Sequence, residues 1–456
     1  MDHQSFRQLG YQIIDWIADY MEEGYDGPVS PNTKPGELLA QLPDHPPQNA
    51  EPGESILQDF HDQILPKVTH WNDPRFFGYF PCNHSGPGIL GDLLSAGLGV
   101  NAMSWATCPA ATELEIVTLR WLGEMIGLDW PGCIQDTAST SNLCALLSAR
   151  EAAGDINQSG FYGQAPLTIY TSEHANSSVL KGVWIAGIGE QYLRRIPGDA
   201  QFAMRTDLLE DWICADIDKG YKPCLVISTV GTTSSTGIDP VPEIARLCRQ
   251  YGLWHHVDAA LAGSAAILPE MRWLMEGVDE ADSFTFNPHK WLFTNFDCSA
   301  YFCRDPKALK KALSIQPDYL KTDYDAAAEN FRDWSIQLGR RFRALKLWFV
   351  IRAYGVSGLQ AKIRLHLQMT KWFAARVSDD QRLLLVAEPM LNTVCFRTRE
   401  NEQTQALMAR INESGEAVLT HTVLDGHTVI RVSFGQTHAR MEHVEKLWSL
   451  VQKSLA

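Results

Sequence analysis

Between about residue 85 and residue 350, short apolar runs alternate with helical ones, and this alternation leaves the chain few architectures. "PLTIYTS", "CLVISTV", "LWHHVDAA" and "SFTFN" are each bounded by turn-forming residues, and helical stretches such as "VPEIARLCRQYG" separate them. Parallel strands need a long crossover between them, usually a helix. A sheet covered by helices on both faces has strands that are apolar throughout. The pattern therefore predicts an α/β domain over residues 85–350, built on a mostly parallel central sheet. In such a sheet, ligand-binding groups gather where the carboxyl ends of the strands open into a crevice.

The flanking regions read differently. Phe6, Leu9, Ile13, Trp16, Ile17 and Tyr20 recur at helical spacing, so "FRQLGYQIIDWIADYMEE" is an amphipathic helix. Seven prolines between residues 28 and 52 follow it and make an extended, wrapping segment. Residues 1–84 thus form a helical arm whose apolar face needs another domain or subunit to cover it. Beyond residue 350 come long helical patterns and then "AVLTHTVLDGHTVIRVSFG", two strand-like runs around Asp425-Gly426 that predict a hairpin. Residues 351–456 are expected to form a small α+β domain.

Composition narrows the function classes. A formal charge of −15 and the absence of any Lys/Arg run argue against a nucleic-acid surface. Ten scattered cysteines without a CxxC pair suit reduced, buried thiols in a cytoplasm, and no zinc site is expected. No signal-like start and no long uninterrupted apolar stretch is present, so a soluble protein without membrane contact is expected.

Four features of the large domain carry chemistry. "IQDTASTSNLCALLSARE" puts Thr137, Ala138 and Ser139 at a helix start, where free N–H groups and the positive dipole end suit a phosphate; N-capping is the plainer alternative. Asp258 closes the strand in "LWHHVDAA", where a carboxylate can face a cation or cap a loop. "STVGTTSSTG" supplies Thr232 at another strand end, with turn chemistry as the alternative. In "FNPHKW", Lys290 follows the next predicted strand, with room between it and Asp258 for a strand, a helix and a further strand. Its ammonium is costly to bury unless paired or neutralised. A phosphate cradle, a carboxylate and an amine in one crevice match the needs of pyridoxal phosphate (PLP).

"NPHKW" together with "HVDAA" resembles the group II PLP-dependent decarboxylases, in particular the aromatic-L-amino-acid decarboxylases. "HWNDPRFFGYFP", "SWATCPAATELE", "IQDTASTS", "NPHKWLFTNFDCSA" and "LGRRFRALKLWFV" extend the likeness over nearly the whole chain. The resemblance implies the fold type I of PLP-dependent transferases, in a homodimer with active sites at the subunit interface. By position it implies Lys290 for covalent attachment of the cofactor and Asp258 for its ring nitrogen. Ala260 lies under the ring in this reading. Ala138, Ser139 and Asn287 hold the phosphate, and Thr232, His256 and His289 line the pocket. Trp71, Tyr79, Phe80, Pro81 and Cys82 resemble the family's aromatic wall, with Asn101 and Met103 contributed by the partner subunit. No arginine stands out beside this wall to hold a side-chain carboxylate. The implied reaction removes CO2 from an aromatic L-amino acid and leaves the amine.

Four positions depart from the family pattern. The resemblance implies a tyrosine in a mobile loop before "LGRRFR" as proton donor, and the aligned stretch "AENFRDWSIQLGRR" carries Phe331 there. A histidine expected to stack on the cofactor is replaced by Asn176 in "ANSS", with His174 nearby. Both changes resemble members that make an aldehyde with ammonia and hydrogen peroxide, so that outcome stands as the alternative, with Tyr324, His174 or water as other proton sources. Asp136 stands where a glycine is usual, and Cys82 replaces a threonine. An aminotransferase with Arg431 holding a carboxylate, or a scaffold without activity, are the rival readings.

Overall fold

A computed structural model describes residues 1–455. The chain forms two compact units, one of residues 82–371 with 387–394, the other of residues 1–81, 372–386 and 395–456.

The first unit is built on seven strands: β1 (Gly132–Gln135), β2 (Leu167–Ser172), β3 (Leu193–Ile196), β4 (Lys222–Thr229), β5 (Trp254–Asp258), β6 (Ser283–Phe286) and β7 (Ser299–Cys303). Their order is β1-β7-β6-β5-β4-β2-β3. The pairings from β6 through β5, β4 and β2 to β3 are all parallel, whereas β7 runs antiparallel to both β6 and β1. The four runs read from the sequence are β2, β4, β5 and β6. The residues of β2, β6 and β7 are buried throughout, as a sheet covered on both faces requires. Helices such as Ala138–Ala153, Ser178–Ile185 and Val241–Tyr251 link the strands. Val241–Tyr251 turns Val241, Ile244, Ala245, Leu247 and Cys248 inward and stops at Gly252, whose left-handed φ of 70° suits a residue without a Cβ.

The second unit carries β8 (Leu384–Leu385), β9 (Thr393–Arg397), β10 (Thr420–Leu424) and β11 (His427–Ser433), in the order β10-β11-β9-β8. The expected hairpin is β10–β11, with Leu424 opposite His427. Asp425 and Gly426 both take positive φ, 49° and 77°, as a tight two-residue hairpin turn demands. The predicted N-terminal helix runs His3–Glu23, starts on Asp2, whose side chain accepts the Ser5 N–H, and contains no buried residue. Helix Arg343–Asp379 is interrupted at Gly355. No helix among the described residues is long and apolar enough to cross a membrane. None of the ten cysteines forms a disulfide, and seven of them are buried.

Candidate active site

The site grows from the ends of β4, β5 and β6. Asp258 is the last residue of β5, in register with Thr229 on β4 and Thr285 on β6. Main-chain pairing continues past the strands: Val230 N–H donates to Asp258 O at 2.9 Å, and Asn287 N–H donates to Ala260 O at 3.0 Å. β6 then turns at Asn287 into the single helical turn Pro288–Trp291, which carries Lys290. The acid and the amine thus leave adjacent parallel strands at the same end of the sheet. Asp258 is buried and Lys290 is half-buried.

The main chain around the lysine is held by a residue that sequence reasoning missed. Asn83 Nδ2 donates to Lys290 O at 2.7 Å, and Asn83 N–H donates to His289 O at 2.9 Å. Nothing in "FPCNHSGPG" distinguishes this asparagine from an ordinary turn former. His289 Nδ1 accepts the Cys298 N–H at 2.8 Å, so the ring proton sits on Nε2. Burial pushes this imidazole down to about 3, which keeps it neutral, and its ring centre lies 4.8 Å from that of Phe296.

The phosphate-type features lie at the start of helix Ala138–Ala153. Thr137 takes the N-cap position without a side-chain cap bond. Thr140 and Ser141 N–H return to Thr137 O. The first-turn N–H groups of Ala138 and Ser139 have no acceptor within an α-helix. Asp136 is different: its Oδ1 accepts both the N–H and the hydroxyl of Thr137, putting an acid beside the helix start. Asn287 is buried with its Oδ1 unpartnered, and the Nδ2 end of its amide is the one that can donate to an anion.

Thr232 and Asn176 answer to local bonds. Thr232 Oγ1 accepts Gly237 N–H at 2.8 Å and lies 3.1 Å from Ser235 Oγ. Its hydroxyl serves the turn after β4, the plainer of its two expected roles. Asn176 is pinned at both ends of its amide, donating to Thr233 Oγ1 at 3.1 Å and accepting Ser178 N–H at 2.9 Å. His174 stands edge-on to Phe202 with ring centres 5.3 Å apart. His256 is fully buried within a hydrogen-bonded line that ends on Asp258.

Two expectations need correction. Phe331 does not stand on an exposed loop: it is 1% exposed, packed with Cys133, Cys144, Tyr301, Leu309 and Trp334, and the Arg340 guanidinium lies 4.9 Å from its ring centre. An apolar ring gains more from that burial than from a solvent-facing tip. The tyrosines exposed on the preceding segment are Tyr319 and Tyr324. Second, an arginine does accompany the aromatic wall. Arg431 on β11 is buried with its guanidinium 5.1 Å from the Phe80 ring centre. Trp71 and Tyr79 stack at 5.2 Å within the same unit, which also holds Pro81, and Tyr79 adopts a positive φ of 54°.

Asn101 and Met103 belong to the other unit. Asn101 Oδ1 accepts Arg340 N–H and Met103 O accepts Arg332 N–H. Cys82 is mostly buried, which raises its thiol above the usual range and leaves it protonated.

Within the first unit, then, a lysine and a carboxylate leave neighbouring strands. The same sheet carries a helix start with free donors after β1 and a buried amide after β6. These residues fit pyridoxal phosphate: Ala138, Ser139 and Asn287 for the phosphate, Asp258 for the ring nitrogen, Lys290 for the aldehyde carbon. The fold and this set are those of a PLP-dependent enzyme of the fold type I class.

The chain belongs to the pyridoxal-dependent decarboxylase family, whose conserved-domain model matches residues 35–399. It is 40% identical to tyrosine decarboxylase 4 of Petroselinum crispum over 99% of this chain and 93% of that protein. It is 38% identical to a phenylacetaldehyde synthase of Arabidopsis thaliana over 99% of this chain and 96% of that protein. Among solved structures it is similar to Oryza sativa TDC with PLP and tryptamine, with a TM-score of 0.97 and 34% identity over 100% of this chain and 98% of that one.

Proposed function

We propose that this chain decarboxylates an aromatic L-amino acid of the tyrosine, DOPA or tryptophan type to the corresponding amine and CO2. The observation that carries the reading is the placement of Asp258 at the end of β5 and of Lys290 on the turn that follows the adjacent β6, in a chain whose full-length relatives include a tyrosine decarboxylase. When bound, PLP supplies the sink for the electrons of the bond to the departing carboxylate. The protein's share is positioning. Lys290 holds and releases the cofactor, Asp258 steadies its ring nitrogen, and the neutral His289 offers an Nε2–H at the lysine turn. The stacked Trp71 and Tyr79 favour a ring-bearing substrate through apolar burial. A proton must return to the substrate's α-carbon, and Tyr319 and Tyr324 carry the exposed hydroxyls on the segment before Phe331.

A homodimer is part of this reading. The helix Gly86–Leu98 leaves Leu90, Leu93, Leu94 and Leu98 about half exposed, and the helix His3–Glu23 exposes Phe6 and Tyr11. Apolar faces of that size suit a second copy of the chain. Ten cysteines without a disulfide among them fit a reducing cytoplasm.

One observation favours the aldehyde outcome as a second reading. Asn176 holds the position of the expected stacking histidine, with an amide fixed by Thr233 and Ser178. Phe331 no longer supports that outcome, because it is core. Purified enzyme supplied with L-tyrosine, L-DOPA or L-tryptophan separates the two. Amine matching CO2 without peroxide is the expected result; peroxide and aldehyde matching CO2 would establish the second reading and overturn the first.

A further inference from the structure

Behind Asp258 runs a line of side chains whose hydrogen-bond directions follow from chemistry alone. Asn142 Nδ2 lies 2.9 Å from Asp258 Oδ2 and 3.1 Å from Ser178 Oγ. Asn142 Oδ1 lies 3.0 Å from His256 Nε2, His256 Nδ1 lies 2.8 Å from Ser283 Oγ, and Trp254 Nε1 lies 3.0 Å from the same hydroxyl. A carboxylate only accepts, so the Asn142 amide must turn its NH2 to Asp258 and its oxygen to His256. His256 Nε2 must then carry the proton. The buried ring is neutral, held at about 3 by burial, so Nδ1 accepts and the Ser283 O–H points at it. The indole N–H can only donate, and it fills the other side of Ser283 Oγ. Every proton from Trp254 through Ser283, His256 and Asn142 thus points toward the carboxylate. Asp258 Oδ1 takes a separate donor, the Ala260 N–H at 3.0 Å.

We propose that Asn142 is a positioning residue for the cofactor: it holds the Asp258 carboxylate as an acceptor turned to the ring nitrogen of pyridoxal phosphate, and the line behind it fixes the direction of its amide. Asn142, Ser141 and Ser148 are all buried on helix Ala138–Ala153. Asn142 alone reaches the acid, one helical turn from the N–H groups assigned to the phosphate. One helix therefore addresses both ends of the cofactor. A buried amide of this kind is retained only where its bonds are filled, and here both ends are.

The inference rests on Asp258 facing the ring nitrogen, and the test separates the two ideas. Apo-protein is prepared as wild type, Asn142→Leu and Asp258→Ala. Each is titrated with PLP and with its 1-deaza analogue, in which carbon replaces the ring nitrogen, following the absorbance of the bound cofactor. Loss of a hydrogen bond to a charged group is expected to weaken PLP binding by Asn142→Leu on the order of tenfold, with little change for the analogue. Ser283→Ala, remote from the cofactor, is expected to give a smaller loss of the same selectivity. If Asn142→Leu fails to fold, judged by its melting temperature, Asn142→Ser takes its place, because serine is too short to span His256 and Asp258. Equal weakening for both cofactors, or none for PLP, overturns the role of Asn142. If Asp258→Ala itself shows no preference between the two cofactors, the assignment of Asp258 fails first.

Discussion

Asp136 stands just before the helix start assigned to the phosphate, and its carboxylate already takes the Thr137 N–H. Two like charges there oppose each other, so Asp136→Asn is expected to tighten PLP binding to apo-protein a few-fold, an effect of about 1 kcal/mol that fades with added salt. Titration at low and high ionic strength checks it; unchanged affinity would show that the acid is already neutralised. The residues readable from sequence were those with a chemistry of their own. Lys290, Asp258 and the Thr137–Ser139 run fall where residue type and strand spacing put them. Asn83 and Asn142 were hidden, because an asparagine that braces a neighbour's carbonyl or carboxylate looks the same in sequence as one that caps a turn. Phe331 misled because alignment places a residue along the chain but says nothing of the direction in which its side chain turns.

Among elements, the turn Pro288–Trp291 has little of its own to hold it, being four residues long with a proline at its first position. Asn83, which is 207 residues away in sequence, is among the groups that brace it, with Cys298 on its other side. Asn83→Ala removes the side-chain donor to Lys290 O and is expected to cost about 1–3 kcal/mol in stability. It should lower kcat on the order of tenfold by loosening Lys290, while KM moves little. Denaturant melts and steady-state kinetics on the same preparation test both parts, and a stability loss without a kcat loss would remove the positioning role. The strands β2, β4, β5 and β6 were legible because buried parallel strands are apolar end to end. β1, β3 and β7 were not: "GCIQ" and "LRRI" are short edge strands with mixed residues, and "SAYFC" runs antiparallel without the helix that signals a parallel neighbour. The β10–β11 hairpin was legible because Asp-Gly is a turn signal that needs no tertiary information.

For the molecule as a whole, acid is the expected weakness. His255, His256 and His289 are each held by burial at about 3, against about 6.5 in an unfolded chain. Between those values the unfolded chain binds protons that the native state refuses. Their contribution is therefore fully present above pH 6.5 and is lost as pH falls toward 3. Melting temperatures measured from pH 7.5 down to pH 4.5 should fall, most steeply below pH 6.5; a flat profile would mean that these rings take up protons in the native state as readily as in the unfolded chain. The expected division into arm, large domain and small domain came from changes in composition, whereas the compact units group distant stretches of chain, which composition along the sequence does not reveal. The central claim is the bond between Lys290 and the cofactor, and borohydride reduction of the PLP-loaded protein followed by peptide mass mapping tests it most directly. A pyridoxyl group on Lys290 alone is the predicted result; the label on any other lysine, or no label on a protein that still releases CO2, would contradict the account.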